Sequence, residues 1–129
     1  MKTGAFVHPL WQSISFLVGL YNAYMAITRR GFTHTRHRRV GLTYYGMTSL
    51  GLIGGYAAAT SLRIEMEIHL ITGIIILALF ITAGTLGFLM LRDPSRIVTL
   101  RPIHKWINLT SLVFFLFQGL YGYFYLATL

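Results

Sequence analysis

Histidine is the residue type in this chain whose number and spacing best suit metal chemistry. The sequence contains five histidines, and four of them stand at the beginning of a long apolar stretch, one per stretch. These four are His8, His37, His69 and His104. Neutral imidazole is the commonest metal ligand among protein side chains. An imidazole at the edge of an apolar stretch also needs a polar partner, and a bound metal is one such partner.

The apolar stretches have the length of membrane-spanning helices. The chain has 129 residues, of which 55% are hydrophobic and only 11% are charged, whereas a soluble domain carries about 25% charged residues. Because a bilayer core needs roughly 20 apolar residues in a helix, the sequence predicts four spans at about 9–28, 39–60, 66–91 and 103–127. We therefore expect an all-α polytopic membrane protein with a single domain over 1–129, folded as an antiparallel up-down-up-down four-helix transmembrane bundle.

The distribution of charge predicts which helix ends face the cytoplasm. The net charge is +8 at pH 7, and most basic residues lie in the segments between the first and second stretches and between the third and fourth. By the positive-inside rule these two loops are cytoplasmic, and both termini lie on the non-cytoplasmic side. Basic residues gathered in short loops, rather than along one helix or tail, argue against nucleic acid as a partner and for membrane lipid.

This topology sorts the histidines into pairs by depth. The first and third stretches start at the outer face, and the second and fourth start at the inner face. His8 and His69 therefore share the outer level, while His37 and His104 share the inner level. Helices one and three are diagonal in such a bundle, as are helices two and four. Two imidazoles facing each other across the core form the axial ligand set of a non-covalent b-type haem, and the lack of cysteine excludes c-type attachment.

Residues beside the histidines fit a flat, anionic group. "HRRVG" and "HLITG" place Gly41 and Gly73 four positions after a histidine, on the same helix face, where a missing side chain leaves room. The two haem propionates bind cationic donors near the membrane surface. The residues placed for this role are Arg38, Arg39, Arg101 and Lys105 at the inner face and Arg63 at the outer face.

Three details stay open at this point. His34 lies three residues before His37 in "HTRH" and shares its helix face if helix two begins early. Unlike His37, it has no glycine four residues after it. Gln118 bonds a haem edge, a quinone or simply a neighbouring helix. Gly55 and Gly87, in "GLIGGYAAA" and "GTLG", either let helices pack closely or leave room beside the haem ligated at the far end of their helices.

The motifs and their order resemble the cytochrome b561 superfamily, and most closely its small four-helix membrane proteins of unknown function, common in cyanobacteria. The matching stretches are "HPLW", "HRRVG", "HLITG", "RPIHKWINL" and "FQGLYG". The resemblance covers essentially the whole chain. It implies two bis-histidine haems, ligated by His8 with His69 and by His37 with His104, in a bacterial inner or thylakoid membrane. This sequence lacks the flanking helices and a recognisable ascorbate site of the ascorbate-using members.

The sequence therefore predicts a di-haem b-type transmembrane electron-transfer protein. Its donor and acceptor would be redox proteins or a quinone, and it would act alone or as a subunit of a larger redox or photosynthetic complex. Two alternatives remain: a haem-free structural subunit of a membrane complex, and a small quinone-dependent oxidoreductase. No residue is assigned a catalytic role, and the sequence does not decide between an electron carrier and a subunit of an oxidoreductase.

Overall fold

Helices make up almost all of the structure, a computed structural model that describes residues 4–62 and 67–128. The helices are α1 (Gly4–Thr28), α2 (His34–Leu62), α3 (Glu67–Arg92) and α4 (Ile97–Ala127), with a 3₁₀ turn at Pro94–Arg96. Within these two ranges there is no strand. The all-α prediction is therefore confirmed for this part of the chain.

The turn between α1 and α2 is built on left-handed backbone. Arg29 (φ +62°) and Gly31 (φ +67°) both have positive φ, the conformation that commonly ends a helix. Thr33 then caps α2, since its Oγ1 accepts a hydrogen bond from the Arg36 N–H at 3.1 Å. Because the cap lies at Thr33, α2 starts at His34, several residues before the predicted span at 39–60.

A second capped turn joins α3 to α4. One carboxylate oxygen of Asp93 accepts from the Ser95 N–H at 3.2 Å, and the other accepts from the Arg96 Nε at 3.0 Å. Pro94 takes the first position of the turn, where no N–H is needed. The Ser95 hydroxyl and the Arg96 guanidinium favour the charged carboxylate, so the pKa of Asp93 lies below its usual range.

The four helices pack around a common interior. α1 packs against α2 and α4, and α3 packs against α4, whereas α2 and α3 touch each other far less. α1 with α3, and α2 with α4, are consequently the diagonal pairs. The seam between α2 and α3 is the loosest side of the bundle.

Close approach of α1 and α2 depends on small residues and on one indole. A Cβ added to Gly19 would lie 2.6 Å from the Tyr44 ring, which is nearer than real Cβ atoms come to other groups. Trp11 Nε1 donates to the Met47 carbonyl oxygen across the same interface at 2.7 Å. Small residues at helix contacts are typical of helices that pack in lipid.

The buried core lies midway along the bundle and is largely aromatic. Its members are Tyr44, Ile76, Phe80, Leu112 and Phe115. The Phe80 ring meets Tyr44 at a centroid distance of 5.0 Å and Tyr45 at 4.9 Å, both edge-on, which is a favoured arrangement of aromatic quadrupoles. We call these five residues the aromatic core; it separates the two ends of the bundle.

Two helical stretches of the described chain are long and apolar enough to cross a membrane. They are Glu67–Arg92 and Pro94–Ala127, and most of their apolar surface faces outward rather than into the bundle. The structure thus supports membrane-spanning character for α3 and α4. For α1 and α2, membrane spanning stays a prediction.

Candidate functional site

The four histidines at the helix beginnings meet in two pairs. The ring centroids of His8 and His69 are 6.1 Å apart, with the ring planes at 76°. Those of His37 and His104 are 6.5 Å apart, with the planes at 80°. Two imidazoles that bind one metal from opposite sides, each through a bond of about 2.0 Å, have centroids roughly 6 Å apart. Both separations suit a metal placed between the rings.

Each pair joins two diagonal helices at one end of the bundle. His8 of α1 and His69 of α3 lie at the end where the described chain begins. His37 of α2 and His104 of α4 lie at the opposite end, beside the two capped turns. All four rings are partly buried. The structure therefore brings together the same residues that the sequence pairs by depth.

Glycines of adjacent helices make room for the rings of the His8–His69 pair. A Cβ at Gly55 of α2 would lie 2.7 Å from His8 Nδ1, and a Cβ at Gly122 of α4 would lie 3.2 Å from His69 Cε1. Each ring thus lies directly against the backbone of a neighbouring helix, in a notch that a larger residue would fill.

The His37–His104 pair has one glycine notch and one aromatic wall. A Cβ at Gly87 of α3 would lie 3.4 Å from His104 Cε1. The His37 ring instead lies 5.5 Å from the ring of Phe32, which belongs to the α1–α2 turn. Gly55 and Gly87 therefore lie against paired histidines of the neighbouring helices, and a role of these glycines beside a haem stays a prediction.

The protonation of His104 follows from its hydrogen bond. His104 Nδ1 lies 2.9 Å from the carbonyl oxygen of Ala83 on α3. A carbonyl oxygen only accepts hydrogen bonds, so Nδ1 carries a proton, and in the neutral imidazole Nε2 then keeps its lone pair. Metal-ligating histidines are oriented in the same way, by a backbone carbonyl at the nitrogen that does not bind the metal.

Three other ring nitrogens are buried with no hydrogen-bond partner among the described residues: Nδ1 of His8, His37 and His69. An unpaired buried polar atom costs about 1–3 kcal/mol. Among the four paired histidines, His104 is therefore the one whose Nδ1 has a backbone partner among the described residues.

The ligand count distinguishes between a bare metal ion and a metal in a macrocycle. Over 4–62 and 67–128, no group of three or more His, Cys, Asp or Glu residues is suited to a metal ion. Two imidazoles alone leave an ion such as zinc short of a full ligand set. A porphyrin supplies the missing nitrogens, so two opposed imidazoles fit haem better than a bare ion.

The cationic residues predicted for the propionates at the inner face lie at one end of the bundle, near His37 and His104. All four that the structure describes are exposed and flank His37 or His104: Arg38, Arg39, Arg101 and Lys105. Arg63, predicted for the opposite end, lies outside the described residues. Binding of the propionates by these side chains stays a prediction.

Amide side chains lie against the glycines that follow the histidines. A Cβ at Gly41 would lie 3.2 Å from Asn22 Nδ2, and one at Gly73 would lie 3.2 Å from Gln118 Nε2. The space beside both glycines is therefore occupied by a polar group of a neighbouring helix. Gln118 Nε2 also donates to the backbone oxygen of His69 at 3.2 Å, which is the neighbouring-helix role among its three alternatives.

A groove of about 310 Å³ lies beside His8, between α1 and α2. Its other lining residues are mainly apolar or small: Val7, Trp11, Leu50, Gly51, Gly54 and Ala58. Several of these side chains are exposed. The groove therefore opens on the outside of the bundle and reaches one ligand candidate.

The sequence analysis does not include Gly122 in the site, although a regular histidine–glycine spacing points to it. Three histidines are followed, eighteen residues later, by a glycine that contacts a histidine of another helix. These histidine–glycine couples are His37–Gly55, His69–Gly87 and His104–Gly122. Eighteen residues are roughly five helical turns, so both members of a couple lie on the same face.

Comparison with family models, curated proteins and solved structures finds no match to the chain.

Proposed function

We propose that the protein is a di-haem b-type electron-transfer protein, with one haem held by each histidine pair. The proposal rests on one observation: imidazoles from diagonal helices meet at both ends of the bundle, with centroids 6.1 Å and 6.5 Å apart. The glycine notches and the tautomer of His104 support it, because bis-histidine ligation requires room for the rings and an unprotonated nitrogen to bind the metal.

The proposal places all four helices across a bacterial inner or thylakoid membrane. The length and apolar surface of α3 and α4 support this placement. The basic turns adjoin the His37–His104 pair, so that end faces the cytoplasm and both termini lie on the other side. The exposed Arg38, Arg39, Arg101 and Lys105 then stand at headgroup depth, where propionates need cations.

The residues of the chain act by holding and insulating two redox groups. Haem iron supplies a one-electron couple when it is bound. The histidines fix its position, and the Nδ1–H bond from His104 to Ala83 makes Nε2 a stronger donor. The aromatic core fills the space between the pairs and keeps water out of it. These roles require no covalent chemistry of any side chain.

The proposed electron donors and acceptors are redox proteins or a membrane quinone, with or without a larger redox or photosynthetic complex around the chain. The groove beside His8 supports a quinone, because its apolar lining and outward opening suit a lipid-soluble ring. A small quinone-dependent oxidoreductase is therefore the second candidate function. Oxidation of the reduced haems by an added quinone would favour it.

Haem content is the direct test of the proposed function. We expect the protein purified from membranes to give a b-type reduced-minus-oxidised absorption spectrum, with about two haems per chain by pyridine haemochrome assay. Colourless protein that still forms its helices would contradict the proposal and favour a haem-free structural subunit.

His34 is expected to be dispensable for both haems. It is exposed as the first residue of α2, and its ring meets Phe32 edge-on at 5.3 Å. His34→Ala should therefore leave the haem content and the absorption spectrum unchanged. Loss of the haem at the His37–His104 end would instead make His34 the ligand of α2.

A further inference from the structure

Two amide side chains of α4 make the same pair of contacts at opposite ends of the bundle. Gln118 Nε2 donates to the backbone oxygen of His69 at 3.2 Å and lies 3.3 Å from the ring Nε2 of His69. Asn108 Nδ2 donates to the backbone oxygen of His104 at 2.8 Å and lies 3.3 Å from the ring Nε2 of His104. Each NH₂ group thus spans the backbone and the ring of one histidine.

The backbone contact fixes which way each amide points. A backbone carbonyl accepts hydrogen bonds only, so the amide nitrogen, and not its oxygen, faces the histidine. For Asn108 the oxygen is accounted for separately, because Tyr45 donates to Oδ1 at 3.1 Å. The second N–H of each amide is then directed at a ring nitrogen that must accept it. Nε2 of His69 and of His104 therefore carries a lone pair and no proton.

His104 gives this assignment an independent check. Its Nδ1 donates to Ala83, and in the neutral imidazole this leaves Nε2 unprotonated. The two arguments, one from each ring nitrogen, agree on the same tautomer. In both histidines the nitrogen held by the amide is therefore the one that is able to bind a metal.

We propose that Gln118 and Asn108 are latches, which hold the ligating nitrogens of His69 and His104 in the unloaded bundle and release them when haem binds. The inference rests on the proposed function. An imidazole Nε2 has a single lone pair in the ring plane, so it cannot accept from the amide and donate to iron together. The bond to the backbone oxygen survives, and it keeps the amide beside the site.

Thermodynamic linkage gives the direction in which haem affinity changes when one of these amides is removed. A hydrogen bond that exists only in the unloaded protein opposes binding, so removing it strengthens binding. Gln118→Leu also leaves His69 Nε2 buried and unpaired in the unloaded state, which acts in the same direction. From the usual net value of one hydrogen bond we expect haem affinity at that site to rise about fivefold. If the amide only supported the iron-binding histidine, its removal would weaken haem binding instead.

The test is titration of detergent-solubilised, haem-free protein with haem. Gln118→Leu should tighten binding at the His8–His69 site only, and Asn108→Leu at the His37–His104 site only. Gln12→Leu is the matched control, since the amide of Gln12 lies against Gly51 rather than on a ring nitrogen. Gln118→Met provides a second variant if leucine disturbs the fold. Unchanged or weaker affinity in both latch variants would overturn the inference.

A second measurement needs no haem. In ¹⁵N-labelled haem-free protein, Nε2 of His69 and of His104 should give the NMR signature of an unprotonated, hydrogen-bonded nitrogen, and Gln118→Leu should alter only the signal of His69. A protonated Nε2 at either residue would overturn the latch. The outcomes separate the two proposals: haem that binds with unaltered affinities defeats the latch alone, whereas wild-type protein that takes up no haem defeats the proposed function.

Discussion

We expect His8→Ala and His69→Ala each to remove one of the two proposed haems, and His37→Ala and His104→Ala each to remove the other. The reason is that each proposed haem would depend on two imidazoles whose ring centroids lie 6.1 Å or 6.5 Å apart across the bundle. Without one of its two histidines, a pair would hold the haem through a single side chain. The content should fall to about one haem per chain, measured by pyridine haemochrome assay with the remaining haem assigned by its redox potential.

The pattern of loss is more informative than its size. His8 and His37 lie on neighbouring helices that pack closely, and His69 and His104 lie on another such couple. If alanine at His8 and at His37 removed the same haem, the ligands would pair between neighbours and the diagonal arrangement would be wrong. His34→Ala is the control for a histidine outside the pairs.

Gly55→Ala is expected to empty the His8–His69 site while leaving the other site loaded. The added Cβ would lie 2.7 Å from His8 Nδ1, so either the ring or the helix must move. The His8 ring lies between α2 and His69, so a shift away from the new Cβ would change its spacing to His69. Overpacking of this kind costs about 1–3 kcal/mol, and we expect the affinity of that haem to fall about tenfold or more, measured by haem titration.

Gly54→Ala is the matched control for this substitution. It precedes Gly55 on α2, yet a Cβ at Gly54 would meet nothing within 4 Å. Both changes raise intrinsic helix propensity by the same amount, so any difference between them reports on the notch at His8. Equal haem affinity in the two variants would show that Gly55 does not shape the site.

The pairing of the histidines could be predicted because it depends only on the direction of each helix. A chain that reverses at every turn puts alternate helix starts at the same end, and the structure places His8 with His69 and His37 with His104. Neither pairing depends on the detailed positions of side chains. The same reasoning cannot show what lies between the rings, which is why the haems stay a proposal.

The helices extend beyond the predicted membrane spans, and α4 shows the largest difference at a helix start. The predicted fourth span begins near residue 103, whereas α4 begins at Ile97 and runs through Pro102. Proline near the N-terminal end of a helix costs little, because few backbone N–H groups there have a partner within the helix. Arg36, Arg38 and Arg101 lie before the predicted spans, yet all three are on helical turns.

The amide contacts could not be read from the sequence at all. Gln118 reaches from α4 to His69 on α3, which depends on the depth and rotation of two helices that are distant in the chain. Asn108 stands four residues after His104, so the sequence predicts that both lie on one helix face. It does not predict that the NH₂ group of Asn108 contacts the His104 ring. Such contacts arise from packing, and packing is fixed only once all four helices are in place.

In α2, α3 and α4, eighteen residues separate the paired histidine from the glycine that contacts a histidine at the other end of the bundle. This interval corresponds to about 27 Å of rise and roughly a whole number of turns, so both residues lie on the same stripe of each of these three helices. Lengthening a helix by one residue would swing one end by about 100° toward lipid. A thicker membrane could therefore be matched only by adding residues in near-complete turns, in all the helices at once.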